Sequence, residues 1–263
     1  MQKVRTGGLI IVAFFFSGCG SQGVVVDEVV KKVEIDKTVY TEFENEFELP
    51  ILLYHHIGTA PEGSSQDIRT WYVSIEKFEE DMNYLSEKGW KPLFMKDVLK
   101  YVEEGRLPEK SFVLSFDDGA KDFLTIAFPI IKNYNMKASV SIMTGVRGYD
   151  WLSNEDISTL QESGLVEFVS HTEYHEYLSR ISSDFATDEL EKSRAKLEEW
   201  TGESMEIIAY PFGLYNDEVI EIAKELGYKA GMTIKSGNGQ FKDRLFEMNR
   251  HIITESSDIK NIF

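Results

Sequence analysis

Short apolar runs alternate with amphipathic stretches from Leu49 to the C-terminus, and this alternation constrains the fold more than any other feature. Residues 51–54 and 112–116 have the length of buried strands, whereas residues 74–88 carry apolar side chains at helical spacing. Repeated strand–helix alternation is typical of an α/β fold with a parallel sheet. Roughly seven strands are indicated, so we expect a (β/α)7-type barrel, distorted or partly open, in a single domain.

The individual elements follow from the same pattern. Predicted strands cover residues 51–54, 112–116, 138–143, 166–169, 207–209 and 228–232, and predicted helices cover residues 74–88, 123–134, 153–163, 185–200 and 217–226. Pro129 is expected to kink or reset the second of these helices. Ser153, with Asp156 three residues later, is the expected N-cap of the third.

Polar residues directly follow several of the predicted strands. His55, Asp117, His171 and Pro211 all stand at such positions. In a parallel barrel the carboxyl ends of the strands and the loops that follow them meet at one face, where catalytic groups lie. We therefore expect these residues to share one site.

The chain contains few histidines, so two that lie close together in sequence are informative about a metal site. The chain contains His55, His56, His171, His175 and His251. His171 and His175 are four residues apart, so on a helical turn both imidazoles face the same side and can bind one metal ion. The metalloprotease pattern H-E-x-x-H is absent, because Thr172 occupies the glutamate position.

Asp117 and Asp118 follow a predicted strand, and Gly119 opens the loop. Adjacent residues at a strand end point in different directions, so one carboxylate can bind a metal while the other stays free as a base. Asp118, His171 and His175 would form a three-ligand set with open positions, as in catalytic zinc sites. Zinc is the favoured metal, and cobalt, nickel or iron would accept the same ligands.

Three segments together resemble the motifs of the polysaccharide deacetylases (NodB homology domain, carbohydrate esterase family 4). They are SFDDG at residues 115–119, SHTEYH at residues 170–175 and YPFG at residues 210–213. The resemblance runs from about Leu49 to the C-terminus. It implies that Asp117 is the catalytic base, and that Asp118, His171 and His175 bind the metal.

Two departures from the family pattern narrow the resemblance. The arginine that usually orients the base is replaced by Ala209, and Arg250 from the last strand is a possible substitute. The C-terminal Leu-x-His that usually supplies the general acid is missing, and His251 does not have its spacing. The early segment LYHHI at residues 53–57 instead resembles a permuted branch that acts on poly-β-1,6-N-acetylglucosamine.

That branch implies a general acid early in the chain. His55 matches the position of the acid, whereas His56 is expected to point the other way, as a loop or surface residue. The third motif implies that the backbone N–H of Phe212 stabilises an oxyanion, with Tyr210 and Pro211 beside the substrate. The aromatic candidates for stacking on sugar rings are Trp71, Tyr72, Trp151 and Tyr215.

The first residues predict export. Lys3 and Arg5 precede an apolar run from Leu9 to Phe16, which is short for a membrane span. The segment FSGC at residues 16–19 resembles a bacterial lipobox, so Cys19 is expected to be lipidated, the alternative being an ordinary signal peptide. We therefore expect a signal peptide at residues 1–18, a lipid-anchored stalk at 19–48 and the deacetylase domain at 49–263.

The formal net charge of −17 limits the partners. Loss of Lys3 and Arg5 with residues 1–18 would change it to −19. So acidic a chain is not suited to nucleic acid, and it suits a neutral substrate or a cationic product. We expect a monomer, anchored at the bacterial cell surface or the periplasmic face of a membrane.

The resemblance implies removal of N-acetyl groups from a surface polysaccharide, with release of acetate. Poly-β-1,6-N-acetylglucosamine is the favoured substrate. Peptidoglycan, chitin oligomers and O-acetylated xylan remain alternatives, as does a small amide. A non-catalytic carbohydrate-binding surface lipoprotein is a further alternative, although such a protein would be expected to have lost Asp117 or a metal ligand.

Overall fold

The computed structural model describes residues 38–263, and its core is a parallel sheet. Within that range seven strands follow one another around the sheet in the order β6-β5-β4-β3-β2-β1-β7. They are β1 (Ile51–Tyr54), β2 (Ser111–Phe116), β3 (Ala138–Ile142), β4 (Val166–Ser170), β5 (Ile207–Ala209), β6 (Ala230–Met232) and β7 (His251–Ile252). A further short strand, Lys91–Leu93, also pairs with β2.

The sheet curves back on itself and almost closes. β7 pairs with β1 in parallel, and Met248, just before β7, forms a single bridge to Met232 at the end of β6. The backbone N–H of Thr233 donates to the carbonyl of Met248 at 2.9 Å. The fold is therefore the distorted, partly open barrel that the sequence predicts.

Helices surround the barrel. In the described part of the chain they are α1 (Gln66–Thr70), α2 (Ile75–Glu87), α3 (Met95–Glu104), α4 (Phe128–Asn133), α5 (Asn154–Glu162), α6 (Ser183–Thr201) and α7 (Asp217–Glu225). None of the helices in this part of the chain is long and apolar enough to cross a membrane.

Local sequence signals explain where several helices begin. Ser74 caps α2 by accepting from the backbone N–H of Lys77. Ser153 and Asp156 form the expected capping box of α5. Before Pro129 the chain forms a π-helical turn, Phe123–Ala127, and α4 then starts with the proline in its first turn. The proline therefore resets the helix as predicted.

Two hydrophobic clusters account for the fully buried strands. One lies between the strands and the outer helices and contains, for example, Leu114, Val140 and Phe168. The other contains the alternate residues Val113 and Val169 and the buried face of α3. Since neighbouring residues of one strand point to opposite sides, both faces of the sheet are covered.

The expected stalk boundary at residue 49 is wrong. Tyr40–Glu42 pairs antiparallel with the short strand Arg106–Pro108, and Glu46–Glu48 pairs with Gly239–Phe241. Residues 38–263 accordingly form one compact unit. The two strands were not foreseen because their partners are distant in sequence. The predicted signal peptide, the rest of the stalk and Cys19 lie outside the described residues.

Candidate active site

The carboxyl ends of the strands surround a cleft of about 290 Å³. It is lined by His55, His56, Ile68, Trp71, Tyr72, Asp117, Asp118, His175, Tyr210, Phe212 and Ile234. Most of the candidates named from the sequence therefore meet here. Trp151, Tyr215 and Pro211 are not among the lining residues, so these three expectations of substrate contact are not supported.

Three side chains converge in a way that fits a divalent metal ion. Nε2 of His171 and Nε2 of His175 lie 3.3 Å and 3.5 Å from Oδ1 of Asp118. All three ligand atoms lie within 4.8 Å of one another. Two imidazole nitrogens and one carboxylate oxygen are a common donor set for zinc and related metals.

Hydrogen bonding prepares the ligands for a metal. His171 Nδ1 donates to the carbonyl of Ala209 at 2.7 Å, which leaves the lone pair of Nε2 directed at the other ligands. Oδ1 of Asp118 is buried and accepts no hydrogen bond from the described residues. A buried carboxylate oxygen beside two imidazole lone pairs needs a cation between them, so the residues fit a metal ion.

The histidine pKa values differ across this cluster. Burial, together with the neighbouring His171, lowers the pKa of His175 to about 4. Burial also acts to lower the pKa of His171, but Asp117 and Asp118 outweigh it and raise that pKa overall. His175 is thus neutral at neutral pH, as a metal ligand must be.

The backbone around the metal ligands adopts unusual conformations. Asp118, Thr172, His175 and Phe212 have φ angles of 73°, 65°, 63° and 57°. In the described part of the chain only two other non-glycine residues have positive φ. Left-handed conformations are costly for such residues and gather at functional sites. The hydroxyl of Thr172 stabilises this loop by accepting from the backbone N–H of His175 at 2.9 Å.

Asp117 lies beside the metal ligands but is held by a different group. Arg250, itself fully buried, donates from Nη1 and Nη2 to the two oxygens of Asp117 at 2.8 Å each. Burial raises the pKa of Asp117, but the guanidinium outweighs it and holds that pKa well below its ordinary value. The geometry matches the hypothesis that Arg250 occupies the role left vacant at Ala209.

Ser141, a second residue that holds the carboxylate of Asp117, was missed by sequence reasoning. Its hydroxyl donates to Oδ1 of Asp117 at 2.8 Å from the neighbouring strand β3. A serine within an apolar strand is too common to single out. The only available signal was its alternation with Ser139 along β3, which places both hydroxyls on one face.

The two early histidines both line the cleft. His55 packs against Trp71 with ring centroids 4.4 Å apart, and its Nδ1 has no hydrogen-bond partner among the described residues. Burial lowers the pKa of His55, although Asp117 acts in the opposite direction. His56 has different partners from His55: it stacks on Tyr72 at 4.4 Å, and its Nδ1 lies 2.7 Å from Oδ2 of Asp122.

In the third motif, YPFG at residues 210–213, Phe212 has the main side-chain contacts at the cleft. Its ring packs on His175 at 4.4 Å and stacks on Tyr177 at 4.0 Å, so Tyr177 is a further aromatic neighbour that the sequence did not suggest. The ring of Tyr210 is fully buried and stacks on Tyr215. Side-chain contact between Tyr210 and a substrate is therefore not supported.

The other candidates lie apart from the cleft. Trp151 forms a backbone bridge to Ala120. The hydroxyl of Tyr215 donates to Glu247 at 2.6 Å. His251, at the start of β7, has both ring nitrogens within hydrogen-bond distance of Ser236 and Asn238.

This chain is similar to known proteins in both sequence and fold. Residues 104–231 match the family model described as polysaccharide deacetylase. YxkH of Bacillus subtilis is 28% identical over 223 residues, which cover 84% of this chain and 77% of YxkH. The poly-β-1,6-N-acetyl-D-glucosamine N-deacetylase of Staphylococcus aureus (strain MRSA252) is 31% identical over 186 residues, 65% of this chain. The match spans 64% of that relative, less than two thirds of its length.

Solved structures give a similar result. The Streptococcus pyogenes deacetylase PplD, determined in complex with acetate, matches with a TM-score of 0.75 and 28% identity. The matched region covers 82% of this chain and 96% of that protein. The likeness thus extends over most of the fold.

Proposed function

We propose that this chain, whose residues 104–231 match the polysaccharide deacetylase family model, hydrolyses N-acetyl groups of an N-acetylglucosamine polysaccharide in a metal-dependent reaction that releases acetate. The observation that carries the proposal is the convergence of Asp118, His171 and His175 beside Asp117. Amide hydrolysis by water requires a carboxylate that is not itself a metal ligand next to a three-ligand metal site.

The proposed metal ligands are Asp118, His171 and His175, with zinc favoured and cobalt, nickel or iron as alternatives. A bound divalent cation supplies a Lewis acid that polarises the acetyl carbonyl and lowers the pKa of water. Neighbouring groups of the chain hold these ligand side chains in position. His171 is fixed by the carbonyl of Ala209, and His175 by the loop that contains Thr172.

Asp117 is proposed to take the proton of the attacking water. Arg250 and Ser141 orient its carboxylate by three hydrogen bonds of 2.8 Å. Both oxygens are held in a fixed plane, and the low pKa of Asp117 keeps the group ionised at neutral pH.

His55 is proposed to protonate the leaving nitrogen. The water oxygen joins the acetyl carbon, the carbon–nitrogen bond breaks, and the sugar nitrogen leaves as an amine with the proton from His55. Burial lowers the pKa of His55, which makes its protonated form a stronger acid. The backbone N–H of Phe212, in the YPFG motif with Tyr210 and Pro211, is proposed to stabilise the oxyanion.

The substrate is proposed to be poly-β-1,6-N-acetylglucosamine. The relationship to the Staphylococcus aureus enzyme and the early position of His55 favour it over peptidoglycan, chitin oligomers and acetylated xylan. Trp71 and Tyr72 line the cleft and are proposed to contact the sugar rings. The net charge of −17 suits a neutral polymer whose product is cationic.

We further propose that the protein is exported and anchored by a lipid on Cys19, with residues 1–18 as its signal peptide, and that it acts as a monomer at the cell surface. Residues 19–37 would then be the stalk.

Acetate release from defined oligomers tests the proposed function. β-1,6 and β-1,4 oligomers of N-acetylglucosamine are incubated with wild type and Asp117→Asn, each loaded with zinc, cobalt or nickel. We expect release from the β-1,6 oligomers by the wild type alone. Preference for β-1,4 oligomers would reassign the substrate. Binding of glycan without any acetate release would reject the enzyme in favour of a carbohydrate-binding protein.

A further inference from the structure

Helix α6 contacts the metal-binding loop along one face. Ser193 shares a hydrogen bond of 2.9 Å with Ser170, and Lys196 pairs with Glu173 at 2.5 Å. Glu189, one helical turn before Ser193, accepts from the backbone N–H of Tyr174 at 2.8 Å. Residues 189, 193 and 196 share a face of the helix, so this one face holds three parts of the segment 170–174.

Glu189 is the most unusual of these residues. It is fully buried, and it forms no ion pair within the part of the chain that the structure describes. Lys196, the cation on the same face, is engaged by Glu173 instead. Burial of a carboxylate without a counter-charge costs stability. Fold stability alone therefore does not explain a glutamate at this position, because an apolar residue would be more stable there.

The loop needs an external constraint because its own conformation is costly. Thr172 and His175 are both left-handed, at φ 65° and 63°, and Thr172 is β-branched. The peptide between these two left-handed positions carries the N–H that Glu189 binds. A hydrogen bond to a carboxylate is stronger than one to a neutral acceptor, and here it fixes the peptide between Glu173 and Tyr174, one residue before His175.

We propose that Glu189 is a positioning residue for the metal ligand His175, acting through the backbone N–H of Tyr174. The proposal rests on the metal-binding part of the proposed function, and it assigns Glu189 no contact with substrate or metal. Groups that support metal ligands from behind typically contribute about tenfold to hundredfold to metal affinity.

Titration of the metal-free full chain with Co²⁺ tests the proposal without any measurement of activity. Affinity is measured by calorimetry, and ligand geometry by the visible absorption band of bound Co²⁺. Glu189→Ala is expected to weaken binding about tenfold to hundredfold and to change the band. Glu189→Gln, which keeps a neutral acceptor, should lie between Glu189→Ala and the wild type.

Two controls define the outcomes. Glu191→Gln, on an exposed position of the same helix, should bind Co²⁺ as the wild type does. His175→Ala shows the spectrum that results when the ligand itself is lost. Wild-type affinity and an unchanged band in Glu189→Ala would overturn the proposal.

A defect in folding is separable from a defect in positioning. Circular dichroism and thermal unfolding of the metal-free variants report the former, and if Glu189→Ala does not fold, Glu189→Gln decides. A Gln variant that folds and matches the wild type in affinity and spectrum would reject the role. A wild type that binds Co²⁺ but releases no acetate would overturn the proposed function alone. A wild type that binds no Co²⁺ would overturn both.

Discussion

Asp117 and Glu167 are both buried carboxylates, but their partners differ in charge. Asp117, just beyond the carboxyl end of β2, meets the guanidinium of Arg250. Glu167, near the amino end of β4, forms no ion pair within residues 38–263 and accepts from the backbone N–H groups of Met95 and Lys96 at 2.5 Å and 3.3 Å. Each also accepts from a serine of β3, Asp117 from Ser141 and Glu167 from Ser139.

The charge of the hydrogen-bond partner determines the direction in which the pKa of each carboxylate shifts. Burial acts to raise the pKa of both carboxylates. At Asp117 the charge of Arg250 outweighs burial and the pKa falls, whereas at Glu167 burial outweighs the neutral donors and raises the pKa to about 7. Equal burial therefore gives one carboxylate that stays ionised beside the metal ligands and one with a raised pKa that accepts hydrogen bonds from the start of a helix.

The largest effect is expected from removal of the charge on Asp117. Asp117→Asn keeps the shape of the side chain but eliminates the base, so acetate release should fall about a thousandfold. Co²⁺ binding should persist, because the three proposed ligands are unchanged. Steady-state rates and a Co²⁺ titration check this. Activity near that of the wild type would contradict the assignment of Asp117.

Removal of the counter-charge should destabilise the fold. Arg250→Met leaves Asp117 buried without a partner, which is expected to lower the free energy of unfolding by about 3–5 kcal/mol. Urea unfolding at pH 7 measures it. The double variant Asp117→Asn/Arg250→Met leaves no unpaired charge and should recover much of the loss. Equal losses in the single and double variants would show that the ion pair is not the cause.

The proton donor beside Asp117 can be tested with the adjacent histidines. His55→Gln is expected to lower kcat about a hundredfold, and the matched variant His56→Gln less than about tenfold. Rates of acetate release at saturating substrate give the comparison. The opposite ranking would transfer the role of the general acid to His56 and its partner Asp122.

The raised pKa of Glu167 predicts a loss of stability as the pH rises towards 7, which the lowered pKa of Asp117 does not. Its pKa of about 7 in the folded state exceeds the ordinary value of 4.5, so the folded protein binds the proton more tightly. Its contribution is fully present below pH 4.5 and is lost as the pH rises through 7. The loss between pH 5 and pH 7 is on the order of 2 kcal/mol.

Urea unfolding at several pH values checks this difference. Glu167→Gln should lack this part of the pH dependence, whereas Glu162→Gln, at an exposed position, should retain it. An identical pH profile for wild type and Glu167→Gln would mean that Glu167 stays ionised when folded.

The smallest effects are expected from the two serines of β3. Ser141→Ala and Ser139→Ala each remove one hydrogen bond to a buried carboxylate, at a cost of about 1–3 kcal/mol in unfolding free energy. Only Ser141→Ala should also change kcat, because only Ser141 contacts Asp117. A kcat effect of equal size in Ser139→Ala would indicate that both serines act through the barrel as a whole.

The sequence predicts the barrel and the metal cluster well because their signals are local. Apolar runs of strand length, caps such as Ser74 and Ser153, and polar residues at strand ends are all visible without a partner. Two histidines four residues apart need only one loop to converge.

Elements whose signals lie elsewhere in the chain were missed. Helix α3 has apolar residues at helical spacing and Gly105 after its end, but Phe94 before it provides no side-chain cap. Glu167 binds the free N–H groups at its start instead, 72 residues away along the chain. Glu189 was missed for the same reason, because a glutamate within a charged helix is ordinarily solvated and its burial is visible only in the fold.

The contact between Asp117 and Arg250 joins residues 133 positions apart, and Arg250 directly precedes the strand that pairs with β1. Contacts of such long range form late in folding, because the entropy of closing the intervening chain opposes them. The three metal ligands, by contrast, all precede residue 176, and the groups that hold them, Glu189 and the carbonyl of Ala209, come before β6 in the chain. We therefore expect the folding chain to become able to bind the metal before it can catalyse hydrolysis. Arg250 comes into place to hold Asp117 only when β7 joins the barrel.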